Sequence, residues 1–254
     1  MSEQRPADII SPITDTALPD KFSLADARSA GRVGHDKPTS ENSIVLLIDH
    51  QIGLMAGVRD FASIADYKSN VVGLARVAKA LKMPVLITSS NAQWQNGDTL
   101  PEIKQIFADQ PIYRRTGIIN AYEDPSFRKA FENLVVTTGR RHIIIAGVTI
   151  GTCCAFPTLS LLNDGYKVFP VIDACGAWNR YETEAAMSRM SNAGAELVTT
   201  FALACELQAD WKTPTANDML APFKQNLSEY GFVLDNFWNN ANQHVVPDPF
   251  GVVK

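Results

Sequence analysis

From about residue 43 the chain alternates two kinds of pattern. Short apolar runs stand at 44–49 (IVLLID), 84–88 (PVLIT), 142–148 (HIIIAGV), 167–173 (KVFPVID) and 196–200 (ELVTT), separated by longer stretches of helical period. Runs with little polar alternation predict strands buried on both faces, as in a parallel sheet covered by helices. Between the first two, Val71, Leu74, Ala75, Ala78 and Leu81 recur at i, i+3, i+4, i+7 and i+10. That spacing lays one apolar stripe along a helix that must stop before Pro84. The segment ETEAAMSRMSNAG at 182–194 repeats the theme, with acidic residues in its first turn and Gly194 at its close. Strands alternating with helices predict an α/β fold, a three-layer sandwich with a central, mostly parallel sheet.

The pattern is confined to the middle of the chain. Residues 1–42 are polar and punctuated by Pro6, Pro12, Pro19, Gly31, Gly34 and Pro38, and read as an N-terminal arm. Residues 43–211 carry the α/β domain. Across 212–254 the order fades into one amphipathic segment near 217–227 and a tail rich in Asn and Pro. The tail's Phe237, Trp238 and Phe250 lack an apolar stripe of their own, so this extension is expected at a subunit interface of a homo-oligomer.

Composition removes several classes of function. The net charge of −4 and the scattered basic residues give no footprint for a phosphate backbone, which excludes nucleic acid as a partner. No stretch approaches the roughly 18 apolar residues of a membrane span, and the first residues lack an apolar leader core, so the expected location is cytoplasmic. Four cysteines without a C-x-x-C pair fit free thiols in a reducing compartment. A glycine fingerprint for dinucleotides is missing.

In an open parallel sheet, ligands bind outside the carboxyl ends of the strands. Three such ends carry chemistry: Asp49 after the first run, GVTIGTCC after the third, and Asp173 after the fourth. A strand-end Asp also serves as a helix cap, and cysteine is more often a small buried hydrophobe than a nucleophile. A thiol at the start of a helix, however, meets a dipole that favours thiolate, backbone N–H groups suited to an oxyanion, and a neighbouring carboxylate to accept its proton. Consecutive helical residues point about 100° apart, so Cys153 and Cys154 cannot share one pocket. Cys153 heads the more polar row, with Pro157, Ser160 and Asp164, and is favoured; Cys154 heads Thr158 and Leu161 and is left to packing. Trp94, Tyr122, Phe156 and Trp178 fall on strand-end loops, either as substrate-binding walls of a pocket or as ordinary packing. His50 reads as a packed or hydrogen-bonding residue.

The set IVLLIDHQIGLM, AGVTIGTCCAFPTLSLLNDGY, VFPVIDACGAW and RMSNAGAELVTTFALACELQADW resembles the isochorismatase-like cysteine hydrolases, in their YcaC-like branch, from about Asn42 to Trp211. The resemblance implies an isochorismatase-like, Rossmann-like topology and a catalytic set of Asp49, a basic residue and Cys153. The basic residue, commonly Lys in the family, is placed by YRRTGIINAYED at Arg115, with Arg114 as the alternative. Arginine does not give up its proton, so in this position it orients and holds charge. Also implied are a non-proline cis peptide at Val148–Thr149 and an oxyanion hole formed by the backbone N–H groups of Thr149 and Cys153. Family members that hold a metal use an Asp-x-His pair, which TSSNAQWQNG lacks, so neither a metal nor a cofactor is expected. The implied reaction is hydrolysis of a C–N bond, an amide or carbamoyl group of a small molecule, through a thioester. The alternatives are an isochorismatase-type vinyl ether hydrolase, which needs no thiol, and a non-catalytic binding or scaffold protein. Branch members also assemble into rings, which implies a dimer or larger ring here.

Overall fold

A computed structural model of the chain describes residues 36–241, the side chains of 240 and 241 excepted. From Pro38 onward these residues belong to one compact unit. Its centre is a five-stranded parallel sheet of β1 (Ser43–Ile48), β2 (Val85–Ser90), β3 (Ile112–Arg115), β4 (His142–Gly147) and β5 (Lys167–Pro170), in the order β3-β2-β1-β4-β5. β1 is central and wholly buried, and Ile44 to Ile48 expose 1% or less, as an uninterrupted apolar run requires.

The helices are α1 (Ile52–Ala56), α2 (Ile64–Ala80), α3 (Pro101–Ile106), α4 (Pro125–Thr138), α5 (Ala155–Asn163), α6 (Arg180–Asn192), α7 (Thr200–Gln208), α8 (Ala216–Asn226) and α9 (Ser228–Ala241). α2 starts where Ser63 Oγ accepts from the N–H groups of Ala65 and Asp66, and it buries the predicted stripe of Val71, Leu74, Ala75 and Ala78. α4 is capped by Asp124, has Pro125 at its first position and ends on Gly139 at φ 69°. α6 is capped by Asn179 and closes at Ala193, with Gly194 at φ 103°.

Three expectations need correction. β3 escaped the pattern because it is a short edge strand, IYRR, whose polar positions mask it. The ELVTT run, conversely, is reduced to a single bridge between Val198 and Val171. Its amides reach β5, Glu196 N–H to Val168 O at 3.0 Å and Val198 N–H to Pro170 O at 3.0 Å. A parallel ladder would also need the N–H of residue 170 to return a bond to Glu196, and Pro170 has none. Finally, the segment around Phe237 and Trp238 is not patternless tail but part of α9. Phe223 of α8 is buried among Trp211, Phe201 and Tyr230, at centroid distances of 5.0, 5.9 and 5.3 Å, and Trp238 packs partly buried against the core. These rings therefore find partners within their own subunit. Phe250 lies outside the described residues.

Candidate active site

The strand order places a switch point beside β1: the chain leaves β1 toward β2 on one side and later returns to β4 on the other. The crevice at the carboxyl ends of these two strands is the place where such sheets bind ligands. Ile48 pairs with Gly147 at that end, so Asp49 and the segment after β4 emerge side by side.

Asp49 leaves β1 with φ 56°, a left-handed conformation that Asp tolerates better than most residues, and its N–H is fixed on Thr88 O at 3.1 Å. Arg115, the last residue of β3, reaches it with a two-pronged fork. Nη1 donates to Oδ1 at 3.1 Å and Nη2 to Oδ2 at 2.5 Å; Nη1 also donates to Thr88 Oγ1 at 2.7 Å. Nε and Nη2 donate to the carbonyls of Ile118 and Ile119, at 3.1 and 3.4 Å. Both side chains of the pair have 0% exposure. Arg114 points the other way, as successive residues of a strand must, and lies 59% exposed and 3.8 Å from Asp98.

After β4 the chain passes a cis Val148–Thr149 peptide and enters a π-helical turn, Ile150–Cys154, before α5. A Cβ on Gly147 would stand 3.0 Å from Ile48 O and 3.2 Å from the carbonyl carbon of Cys153, so a larger residue would need β1 or this turn to give by a few tenths of an ångström. Ile150 N–H anchors the turn on Gly176 O at 2.8 Å. The hydroxyls of Thr149 and Thr152 lie 2.8 Å apart, and Thr152 Oγ1 donates to Cys153 Sγ at 3.7 Å. The Cys153 thiol in turn donates to the Asp49 carboxylate. Cys154 is fully buried and contacts the buried Cys175.

The electrostatics differ from the helix-dipole expectation. Burial pushes the Cys153 thiol up to about 12, and the Asp49 charge adds to this, outweighing the Thr152 hydroxyl and Arg115. The turn is π-helical rather than the first turn of α5, and its dipole does not overcome a buried carboxylate alongside the sulfur. Burial likewise raises Asp49 to about 6, against the opposing pull of Arg115 and of the thiol's hydrogen bond. At neutral pH the pair is therefore a carboxylate and a protonated thiol.

The remaining sequence candidates divide. Trp178, 51% exposed, lines a cavity of about 400 Å³ together with Thr149 and Thr152, and Phe156 lines a second of about 700 Å³ together with Ile118 and Ile119. Tyr122 is no pocket wall: it is 2% exposed, stacks edge-on against Phe131 at 5.4 Å and donates its hydroxyl to Asp164 at 2.9 Å. The turn begun by Asn120 rotates it inward over α4. Trp94, 68% exposed, lines neither of these cavities. Its loop is held from below by Gln51, whose amide donates to Ser90 O and Gly97 O and accepts from Ser90 N–H. His50 is buried with Nε2 on Ala174 O at 3.0 Å, and burial lowers it to about 4, so it is neutral. Asp173 caps α7 through the N–H and hydroxyl of Thr200, at 2.7 and 2.8 Å. Among the described residues no three His, Cys, Asp or Glu side chains gather as a metal-binding group, and no helix is long and apolar enough to cross a membrane.

Thr88 and Gln51 were not foreseen. Thr88 carried a faint signal, a hydroxyl at the end of an apolar strand, whereas Gln51 looks like any loop residue until the fold brings it in.

Comparison with known proteins gives consistent matches. The model of the isochorismatase domain matches residues 43–201. The chain is 38% identical over 196 residues to the probable hydrolase YcaC of Escherichia coli K12, covering 77% of this chain and 91% of that protein. It is 28% identical over 191 residues to isochorismatase domain-containing protein 2 of Xenopus laevis, covering 75% and 85%. The structure of Pseudomonas aeruginosa YcaC with hexane-2,5-diol and covalent acrylamide superposes with a TM-score of 0.76 at 37% identity, covering 81% of this chain and 99% of that one. The E. coli YcaC crystal structure, an octameric hydrolase of unknown specificity, also gives 0.76 at 37% identity, covering 82% and 98%.

Proposed function

Because this chain belongs to the isochorismatase family of hydrolases and is akin to YcaC, we propose that it is a cysteine-dependent hydrolase of a C–N bond, in an amide or carbamoyl group of a small molecule. The observation that carries this reading is the chain of contacts Arg115–Asp49–Cys153: a buried carboxylate, held on one side by a guanidinium fork, accepts a hydrogen bond from a thiol on the other.

Because the thiol is held protonated, attack and deprotonation occur together. Asp49 takes the Sγ proton as sulfur bonds to the carbonyl carbon, and the C=O π pair moves onto oxygen, where the N–H groups of Thr149 and Cys153 hold the oxyanion. The oxyanion collapses, the C–N bond breaks, and Asp49 returns the proton to the departing nitrogen. In the second half Asp49 takes a proton from water as its oxygen attacks the thioester; the C–S bond breaks and the sulfur regains the proton. The sum is amide plus water giving acid plus amine. A base near 6 is well matched to this work, since it is ionised at neutral pH yet still a useful acid one step later. Arg115 makes no proton transfer; it fixes the carboxylate and offsets its charge.

The Pseudomonas relative's covalent acrylamide supports a nucleophile in this branch, because acrylamide is an electrophile that adds to nucleophiles. Isochorismatase-type vinyl ether cleavage would leave the thiol–carboxylate contact without a use. The hydrolase domain is assigned to residues 43–211, working in the reducing cytoplasm, where its thiols stay free. Following the octameric E. coli relative, the chain is assigned as a homo-oligomer, with 212–254 at a subunit interface; the exposed Phe232 and Val233 on α9 support this. The test is ammonia release from a panel of small primary amides, carbamates and ureas. Wild type is expected to hydrolyse a subset, and Cys153→Ser none of it; equal turnover by the two proteins would refute the proposal.

A further inference from the structure

The cavity beside Thr152 is closed on its other side by one stripe of α6: Glu182, Ala185, Ala186 and Arg189, spaced i, i+3, i+4 and i+7. The two alanines leave room, and its volume of about 400 Å³ suits a small ligand. Of the two charges on the stripe only one is spent. Glu182 accepts from the N–H of Trp178 at 3.3 Å and from the amide of Asn179 at 3.0 Å, which makes it part of the α6 cap. Arg189 stands over the ring of Phe156, 5.7 Å from its centroid, and among the described residues it pairs with no carboxylate. It is also the wall shared with the second cavity, between Phe156 and the Ile118–Ile119 carbonyls that hold Arg115. The one carboxylate lining that second cavity, Glu123, already accepts from Asn120 at 3.0 Å. Arg189 is thus the sole basic side chain of both cavities, and Thr152 connects its cavity to the Cys153 sulfur 3.7 Å away.

We infer that Arg189 is the substrate-selecting residue of this site, and that the amide or carbamoyl substrate carries a carboxylate which the guanidinium fork holds while the carbonyl is presented to Cys153. An unpaired guanidinium backed by an aromatic ring is preorganised for a planar carboxylate, which it meets with two parallel hydrogen bonds. Ala185 and Ala186 offer the ligand no polar contact on the α6 side of the cavity, so there the guanidinium fixes its orientation. The inference rests on the proposed role of Cys153, and its test separates the two.

Iodoacetate and iodoacetamide are nearly the same size and alkylate the same sulfur, but only the first carries a carboxylate. The experiment measures second-order labelling rates at the Cys153 peptide for both reagents by mass spectrometry, in wild type and in the Arg189→Gln, Arg189→Lys and Arg180→Gln proteins. The iodoacetate-to-iodoacetamide ratio cancels any change in the thiol itself. Arg189→Gln is expected to lower the ratio about tenfold, the worth of a charge-assisted pair, while Arg189→Lys keeps part of it. Arg180, on the same helix but exposed and paired with Glu184 at 2.6 Å, controls for net charge and should leave the ratio unchanged. Labelling of Cys153 with a ratio indifferent to Arg189→Gln, or lowered equally by Arg180→Gln, overturns the arginine's role alone. No labelling of Cys153 by either reagent overturns the nucleophile and this inference with it.

Discussion

Replacing Arg115 by Met removes both hydrogen bonds to Asp49 and leaves a carboxylate of 0% exposure without its counter-charge. Stripping one partner from a buried ion pair costs about 3–5 kcal/mol. The protein can relieve that cost by protonating Asp49, whose pKa then climbs above its present value of about 6, because burial, the raising influence, is no longer opposed by the arginine. A base protonated at the assay pH does no work. At 1.36 kcal/mol per decade, the lost stabilisation corresponds to a fall in kcat/KM of about 10²–10⁴. The assay is the pH profile of kcat/KM on any hydrolysed amide, with folding checked by thermal melt. In wild type kcat/KM should rise through about pH 6 as Asp49 ionises and then stay level, since the Cys153 thiol loses its proton only near 12. Arg115→Met should carry that limb to higher pH, and Arg115→Lys, which keeps charge but not the fork, should fall between the two. A Met variant with wild-type kcat/KM and an unmoved limb would refute the role given to Arg115. A dead Arg114→Met variant beside an active Arg115→Met would pass the role to the exposed neighbour.

Cys154→Ala should leave turnover near wild type and lower stability by about 1 kcal/mol in a urea melt, as loss of one fully buried sulfur; loss of turnover comparable to that of Cys153→Ser would mean that the thiols act jointly. Gly147→Ala should destabilise the fold by about 1–3 kcal/mol and depress activity further, because its methyl meets Ile48 O at 3.0 Å and pushes the Cys153 turn off β1; a fully active and stable variant would contradict this. Asp49 also has a stability signature. Its folded value of about 6 lies above the ordinary 3.8, so the native state binds that proton more tightly, and the stabilisation present below pH 4 is lost as pH rises through 6, by about 3 kcal/mol. Chemical denaturation from pH 4 to 7 should show this fall in wild type and lack it in Asp49→Asn.

The apolar runs and the helix stripe carried most of the fold, because a buried parallel strand leaves an unmistakable uninterrupted signal. What failed did so for local reasons. β3 spends its last two positions, Arg114 and Arg115, on polar work, and Arg115 is buried only because it meets Asp49. The ELVTT run was denied a ladder by a single missing N–H at Pro170, which lies in a different run from the one it affects. Within the site, Asp49 and Cys153 were legible as strand-end residues, and the structure brings them together. The protonation of the thiol was not legible, because it depends on burial and on the sign of a neighbour across the sheet. Trp178 and Phe156 reach cavities, while Tyr122 turns into the core, a difference made by a three-residue turn that periodicity does not register. Arg189 gave no signal at all; only the packing of α6 against the Cys153 turn shows what its stripe faces.

The claim that Cys153 attacks the substrate carbonyl with Asp49 as its base is tested most directly by trapping the intermediate. Wild-type protein mixed with a hydrolysed amide, quenched in acid within one turnover and examined by intact mass, should gain the mass of the acyl group. Peptide mapping should place that mass on Cys153, hydroxylamine should release it, and Asp49→Asn should fail to form it. Steady hydrolysis in which the acyl group maps to another residue, or in which the quenched protein carries no adduct while Cys153→Ser still turns over, would contradict the account.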